Sequence, residues 1–125
     1  MWIKICGMTT AAAVDAALQA RVDAIGFVFA RSVRELTPQA AATLARPARG
    51  RVCCVAVTRH PAQAAVDEIV RVFAPDLMQS DAEDLAALRL RQRLKRSPWC
   101  GQPVLLPRRS RSESCSRVPR AGAVR

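Results

Sequence analysis

Cys6 is the residue whose type and position in this sequence best suit proton-transfer chemistry. It ends a short β-prone segment and is followed by Gly7, which permits the positive φ that a sharp turn requires. Cys6 would therefore stand at the carboxyl end of a strand, where parallel α/β enzymes carry their catalytic groups. A free thiol has a pKa of about 8.5, so a small downward shift yields thiolate near neutral pH. The alternative is that Cys6 is a small buried hydrophobic residue, as most free cysteines are.

The other cysteines and the single histidine do not form a metal-binding pattern. The sequence has no C-x-x-C pair, and its five cysteines are Cys6, Cys53, Cys54, Cys100 and Cys115. We therefore expect no metal site and, in a reducing cytosol, no disulfide framework. Cys53 and Cys54 are interpreted as core residues and His60 as a surface residue. Three acidic residues are expected to complement the positive end of a helix: Asp81, Glu83 and Asp84.

Four β-prone segments alternate with four helical ones. The β segments begin near residues 3, 24, 52 and 77, at steps of 21, 28 and 25 residues that are typical of successive βα units. The middle two are apolar on both alternating faces, as buried parallel strands are. Helices are predicted over residues 11–20, 39–46, 61–73 and about 82–94, with Thr10 and Thr37 among the capping residues. The pattern predicts an α/β fold of four βα units.

The charge of the sequence changes abruptly near residue 91. Residues 1–90 carry a net charge of +1 and residues 91–125 a net charge of +9. The second segment is rich in Arg, Pro and Ser, and only residues 104–106 could form a strand. We therefore predict one domain over residues 1–90 and a largely disordered basic tail over residues 91–125. Because no secretory signal and no run of about 18 apolar residues is present, we expect a cytoplasmic protein.

Two phrases of the sequence resemble the opening of the phosphoribosylanthranilate isomerase family. They are K-I-C-G-M-T, which ends at Thr9, and D-A-I-G-F-V-F, which begins at Asp23. The likeness continues through S-V-R, which ends at Arg34, and L-M-Q, which ends at Gln79, and it covers about residues 2–90. It implies the N-terminal half of a (β/α)₈ TIM barrel. It also implies an enzyme of tryptophan biosynthesis that works without metal or organic cofactor.

The resemblance assigns roles to three residues. The family's reaction is an Amadori rearrangement of N-(5-phosphoribosyl)anthranilate to 1-(2-carboxyphenylamino)-1-deoxyribulose 5-phosphate, which needs a base at the sugar C2′ and an acid at the ring oxygen. Cys6 matches the family's base. Arg34 matches the arginine that faces the anthranilate, where a planar guanidinium can pair with the carboxylate, although a solvated loop arginine is the alternative. Gly7 is expected chiefly to form the turn, and a backbone contact with the substrate is secondary.

The sequence also departs from the family. Arg21 occupies a helix end where glycine is usual, and a left-handed backbone there would cost about 1 kcal/mol or more. Ser80-Asp81 stands where many members have His-Gly. No residue after Leu90 matches the family's general-acid aspartate or its glycine-rich phosphate loops. We therefore expect this chain to be inactive by itself, and we hypothesise that a shifted reading frame produced the tail, a genuine tail being the alternative.

Two other functions remain open at this point. The basic tail could bind nucleic acid without sequence specificity, although no specific nucleic acid and no membrane partner is expected. The open edges of half a barrel could pair with a second copy of the chain, and they predict self-association or molten behaviour. The favoured partner is a small sugar phosphate substrate.

Overall fold

The four parallel strands of the computed structural model match the four β-prone segments of the sequence. The structure describes residues 1–89 and the backbone of residues 94–96 and 103–105. The strands are Lys4–Cys6 (β1), Ala24–Val28 (β2), Cys53–Val57 (β3), Leu77–Gln79 (β4), Leu94–Arg96 (β5) and Pro103–Leu105 (β6). Strands β1 to β4 lie side by side in parallel, which confirms the predicted βα units. Strand β6 pairs antiparallel with β4 and with β5. The predicted disorder of the tail otherwise lies outside the described residues.

Each parallel strand is followed by a helix. The helices are Ala11–Gln19 (α1), Pro38–Leu44 (α2), Gln63–Glu68 (α3) and Ala82–Ala87 (α4). Thr10 Oγ1 accepts a hydrogen bond of 3.2 Å from Ala13 N, and Thr37 Oγ1 accepts one of 3.2 Å from Ala40 N. Both threonines are therefore N-caps, because their hydroxyl oxygens accept hydrogen bonds from backbone amides of the first helical turn. These amides have no partner within the helix. A 3₁₀ turn, Arg46–Ala48, follows α2, and a π-helical turn, Ile69–Phe73, continues α3.

Helix α4 is shorter than the sequence predicted. The expected helix of residues 82–94 ends at Ala87, and Leu88 already has an extended backbone. The side-chain amide of Gln63 holds both backbone groups of Arg89, accepting from its N at 2.8 Å and donating to its O at 3.2 Å. Because these groups bind α3 instead of the preceding turn, the chain cannot continue as a helix. A tertiary contact thus overrides the local helical tendency.

The two faces of the parallel sheet bury different sets of side chains. The face toward the helices holds the larger cluster, with Phe73 fully buried near its centre. The ring of Phe73 lies 5.1 Å from that of Phe27 and 5.3 Å from that of Phe29, and the Arg49 guanidinium lies 4.8 Å above it. The opposite face holds a smaller cluster of Ala24, Cys53, Val55 and Leu77, with Trp2 and Val57 packed against it.

Asp23, just before β2, and Asp76, just before β4, make equivalent pairs of hydrogen bonds to the backbone of a neighbouring strand segment. Asp23 Oδ2 accepts from Ile3 N at 2.8 Å, while Asp23 N donates to Ile3 O at 3.0 Å. Asp76 Oδ2 accepts from Cys54 N at 2.8 Å, and Asp76 N donates to Cys54 O at 2.8 Å. Each carboxylate therefore ties the start of its strand to the neighbouring strand. The units β1-α1-β2 and β3-α3-β4 are closed in the same way.

Arg21 adopts the left-handed backbone that the sequence suggested, with φ of 54°. A side chain is disfavoured in this conformation, whereas glycine adopts it freely. We expect Arg21→Gly to raise the free energy of unfolding by about 1 kcal/mol, measured by urea denaturation. Ala20→Gly is the matched control: Ala20 has an ordinary φ of −70°, so its replacement should not stabilise the protein. Equal or lower stability of Arg21→Gly would contradict the prediction.

Candidate functional site

Cys6 lies at the carboxyl tip of β1 and is exposed. It pairs in register with Gly26 of β2, and a Cβ added to Gly26 would lie 2.9 Å from Cys6 Sγ. The thiol therefore lies over Gly26, on the face of the sheet that carries Ala24 and Val55. The structure confirms the predicted position of Cys6, and it does not support the alternative of a buried hydrophobic cysteine.

Gly26 is a residue of the site that the sequence analysis did not single out. Its missing side chain leaves the space that the Cys6 thiol occupies, since any Cβ there would contact both Cys6 and Val57, the latter at 3.4 Å. A signal was available, because glycine inside a buried strand often marks a close approach of another group. The sequence phrase that begins at Asp23 contains Gly26. The role of this glycine is visible only once β1 is paired with β2, because the thiol that it accommodates belongs to β1.

Gly7 makes the turn after β1 and leaves room for Arg34. Its φ is +87°, and its N donates to Gly26 O at 2.9 Å. A Cβ on Gly7 would lie 2.7 Å from Arg34 Cδ and 3.1 Å from an Arg34 terminal nitrogen. The guanidinium therefore lies across the turn that follows Cys6. The structure brings together the three residues that the sequence selected: Cys6, Gly7 and Arg34.

Hydrogen bonds in the loop after β2 place Arg34 there. Arg34 N donates to Ser32 Oγ at 3.1 Å, and Glu35 N donates to Ser32 O at 3.2 Å. Leu36 N then returns the chain to the sheet by donating to Val28 O at 2.9 Å. Since the loop is held at both ends, Arg34 is directed toward Gly7 although the residue itself is exposed.

Lys4 and Gln79 are joined across the face of the sheet that carries Cys6. Lys4 Nζ donates a hydrogen bond to Gln79 Oε1 in a partly buried position. These residues belong to β1 and β4, three strand spacings or about 14 Å apart in a flat sheet. Their contact shows that the sheet is curved and that Cys6 lies on its concave face. The sequence analysis did not select Lys4, although its spacing of two from Cys6 places both side chains on one face.

A second cluster of polar groups joins the loop after β3 to α4. His60 N and Nδ1 lie 2.6 and 2.8 Å from the two carboxylate oxygens of Asp84, and Ser80 Oγ donates to Asp84 at 2.9 Å. Partial burial raises the pKa of Asp84, but the hydrogen bonds from His60 and Ser80 outweigh it and hold this pKa below its ordinary value. Asp84 thus binds the preceding loop and Ser80 as well as standing in the first turn of α4, where the sequence expected it to complement the helix dipole.

The same cluster has the composition of a cation site. Single ligand atoms of His60, Asp81 and Asp84 lie within 4.8 Å of one another, which is close enough to share an ion. However, His60 Nδ1 and Asp84 bind each other, and Asp81 lies 3.8 Å from the Arg59 guanidinium. These groups already have protein partners, so the arrangement is explained without a metal.

Cys53 and Cys54 are buried core residues, as predicted. Burial raises the pKa of the Cys54 thiol to about 11, while the charge of Arg49 lowers it and that of Asp76 raises it further. Cys53 is disulfide-bonded. The sequence analysis expected no disulfide framework in a reducing cytosol, and it did not anticipate a disulfide at Cys53, because local spacing does not reveal which cysteines pair.

Comparison with known proteins identifies the family that this chain resembles. The model of the N-(5′-phosphoribosyl)anthranilate (PRA) isomerase family matches residues 3–96. The N-(5′-phosphoribosyl)anthranilate isomerase of Rhizobium johnstonii is 47% identical over 78 residues, and that of Brucella canis is 49% identical over 78 residues. Each alignment covers 62% of this chain and 35% of the relative. The chain thus spans about a third of the length of these curated relatives.

Solved structures show the same architecture. The chain resembles TrpF from Jonesia denitrificans with a TM-score of 0.64 and 34% identity, over 74% of this chain and 48% of that protein. It resembles the phosphoribosyl anthranilate isomerase from Thermus thermophilus with a TM-score of 0.61 and 26% identity, over 70% and 48% of the two chains. Among the described residues, no helix is long and apolar enough to cross a membrane. Since the family model matches three quarters of the sequence and the solved structures share its fold, the chain belongs to the N-(5′-phosphoribosyl)anthranilate isomerase family.

Proposed function

We propose that the concave mouth at the carboxyl ends of β1 and β2 binds N-(5′-phosphoribosyl)anthranilate, with Cys6 as the base of the isomerisation. The observation that carries this proposal is the exposed Cys6 thiol at the tip of β1, over Gly26, with Arg34 against the adjoining Gly7. Arg34 binds the anthranilate carboxylate, since guanidinium and carboxylate form paired, charge-assisted hydrogen bonds. Gly7 keeps the path between the two side chains open.

The isomerisation requires first an acid and then a base. An acid protonates the ring oxygen of the ribose as its bond to C1′ breaks, which leaves an iminium between C1′ and the anthranilate nitrogen. The Cys6 thiolate then removes the proton from C2′, and the electrons of that C–H bond form the C1′–C2′ double bond of an enaminol. Transfer of a proton to C1′ and loss of the hydroxyl proton at C2′ give the ketose. Cys6 supplies the base for the second step.

We further propose that the 125-residue chain binds this substrate but does not turn it over by itself. The resemblance places the family's acid on a fifth parallel strand, and the sequence match does not include a corresponding aspartate. Loss of general acid catalysis costs about 10²- to 10⁴-fold in rate. The family fold and the position of Cys6 support the binding half of this proposal.

The test is an assay of the purified chain with phosphoribosylanthranilate, beside Cys6→Ala and Arg34→Met variants. We expect binding that Arg34→Met weakens about tenfold or more, with no turnover that depends on Cys6. Failure of the chain to bind would contradict the assignment of the site. Turnover that disappears in Cys6→Ala would instead support the base and overturn the proposed inactivity.

We also propose that the chain self-associates through the free edge of β1. Ile3 O accepts from Ala24 N and Gly7 N donates to Gly26 O, so the alternate residues Lys4 and Cys6 direct their backbone groups away from β2. Ile3 and Ile5 beside this edge are 43% and 40% exposed. An unpaired apolar edge is a template for another strand.

A charge on this edge should therefore reduce association. We expect Ile5→Lys to shift the chain toward monomer in sedimentation velocity at matched concentration. Val33→Lys introduces the same charge at a fully exposed loop position and should leave the distribution unchanged. Equal association of Ile5→Lys and the wild type would show that β1 is not the interface.

Binding of nucleic acid by the basic segment stays a prediction, because residues 91–125 carry the charge and their side chains lie outside the described residues. Deletion of this segment should abolish such binding, and binding that persists as salt rises would exclude a purely electrostatic mode.

A further inference from the structure

Lys4 carries a positive charge that no described carboxylate balances. Its Nζ donates to the side-chain oxygen of Gln79, which is a neutral amide. The ion pairs among the described residues join Arg59 to Asp81 and His60 to Asp84, on the loops after β3 and β4 and in the first turn of α4. A partly buried ammonium with only a neutral partner remains attractive to an anion, since removal from water weakens screening of its charge.

The position of this charge relates it to the candidate site. Lys4 and Cys6 share the concave face and are two residues apart on β1, so their Cβ atoms are about 7 Å apart. The Lys4 side chain extends toward Gln79 at the carboxyl end of β4. Arg34 approaches from the loop after β2 and lies across Gly7. The concave mouth therefore has two cationic groups, contributed from different elements.

The described residues of the four parallel strands place no carboxylate on the concave face. Apart from Lys4, the side chains that these strands direct to this face are uncharged or, for Cys6, a thiol. They come from Cys6, Ala24, Gly26, Val28, Cys53, Val55, Val57, Leu77 and Gln79. A ligand with two anionic groups would thus meet two cations on a mostly apolar surface. Low local dielectric strengthens both contacts.

We propose that Lys4 is a substrate-binding residue whose ammonium binds an anionic oxygen of a small ligand that carries both a carboxylate and a phosphate. Arg34 binds the carboxylate of the same ligand, and Gln79 orients Lys4 before the ligand enters. This inference rests on the proposed function, because Arg34 and Cys6 define where the ligand lies. It adds a second charged contact from β1 itself.

The first test measures binding of reduced 1-(o-carboxyphenylamino)-1-deoxyribulose 5-phosphate, the ligand of a solved phosphoribosyl anthranilate isomerase. Isothermal titration calorimetry of the full chain should give a Kd that is about tenfold or more weaker for Lys4→Met. Lys4→Arg keeps the charge and should restore most of the affinity. Arg46→Met removes an exposed charge from the 3₁₀ turn after α2 and should bind like the wild type.

The variants separate this inference from the proposed function. If Arg34→Met weakens binding and a folded Lys4→Met does not, the role of Lys4 is overturned while the proposed site stands. If the wild type does not bind the ligand, both are overturned. Circular dichroism of each variant identifies a loss of affinity that is due to unfolding.

A second test needs no substitution. Lys4 and Lys95 are the two lysines of the chain, so acetylation by an amine-reactive ester reports each separately in peptide mass spectrometry. The same ligand at saturation should slow acetylation of Lys4 several-fold relative to Lys95. Equal rates at Lys4 with and without bound ligand would overturn the proposal even if Lys4→Met failed to fold.

Discussion

Treatment of the folded chain with N-ethylmaleimide at pH 8 should modify Cys6 at least on the order of 100-fold faster than Cys54, because the thiolate is the reacting species. Cys6 is exposed at the tip of β1, whereas Cys54 is fully buried. Burial raises the pKa of Cys54 to about 11, so at pH 8 about one molecule in a thousand carries that thiolate. Peptide mass spectrometry over a time course measures the two rates.

The control for this experiment is the same reaction in concentrated urea, where Cys6 and Cys54 should react at similar rates. Similar rates in the folded chain would contradict the burial of Cys54 or the exposure of Cys6. Cys6→Ser should remove the label from the peptide that contains residue 6 and leave the slow reaction of Cys54 unchanged. A Cys54 peptide that reacts as fast as the Cys6 peptide of the wild type would contradict the burial of Cys54.

The raised pKa of Cys54 also predicts how stability depends on pH. Its stabilising contribution is fully present below the ordinary thiol pKa of 9.0, where both folded and unfolded chains hold the proton. Between pH 9 and about 11 the unfolded chain alone releases it, so stability falls as pH rises. The loss attributable to Cys54 is roughly 2 to 3 kcal/mol at the upper limit. Urea unfolding of the wild type and Cys54→Ala should show a smaller decline in the variant.

Phe73→Ala should lower the free energy of unfolding by about 3 to 5 kcal/mol, enough to unfold a marginally stable chain. Phe73 is fully buried and packs against Phe27 and Phe29. The substitution also removes the ring beneath the Arg49 guanidinium. A cavity would thus form between the sheet and the helix-side residues of the largest core cluster. Far-ultraviolet circular dichroism and urea denaturation measure the effect.

Val33→Ala provides the comparison for Phe73→Ala. Val33 is fully exposed, so its truncation should change stability by no more than about 0.5 kcal/mol. A loss below about 1 kcal/mol for Phe73→Ala would mean that this residue is not central to the packing. Phe73 belongs to the π-helical turn after α3, and it contacts Phe27 in β2 and Phe29 just after β2. Such a result would therefore also question whether these ring contacts hold the turn against β2.

Local signals in the sequence were sufficient for the strands and for the turn that follows Cys6. Buried strands show apolar residues on both faces, and Gly7 marks the sharp turn after β1 because its φ is positive. The caps at Thr10 and Thr37 were equally visible, since hydroxyls before a helical run accept from its first amides. These features depend on a few consecutive residues, which is why the sequence contains them.

Features that depend on contacts between distant residues could not be predicted from local sequence signals. The end of α4 is decided by Gln63, which lies more than twenty residues earlier and holds Arg89. The bridge from Lys4 to Gln79 requires the curvature of four paired strands. The role of Gly26 as the space for Cys6 requires the register of β1 against β2.

By itself, the sequence determined the family, the order of the βα units and the identity of the thiol at the end of the first strand. It did so because hydrophobic periodicity and turn residues act locally, and because the phrase around Cys6 is specific. Only the tertiary structure decided that Arg34 lies over Gly7, that Lys4 reaches β4 and that Asp84 binds the loop after β3. Those contacts join residues far apart in sequence, and their formation depends on strand register, sheet curvature and loop hydrogen bonds that no single segment specifies.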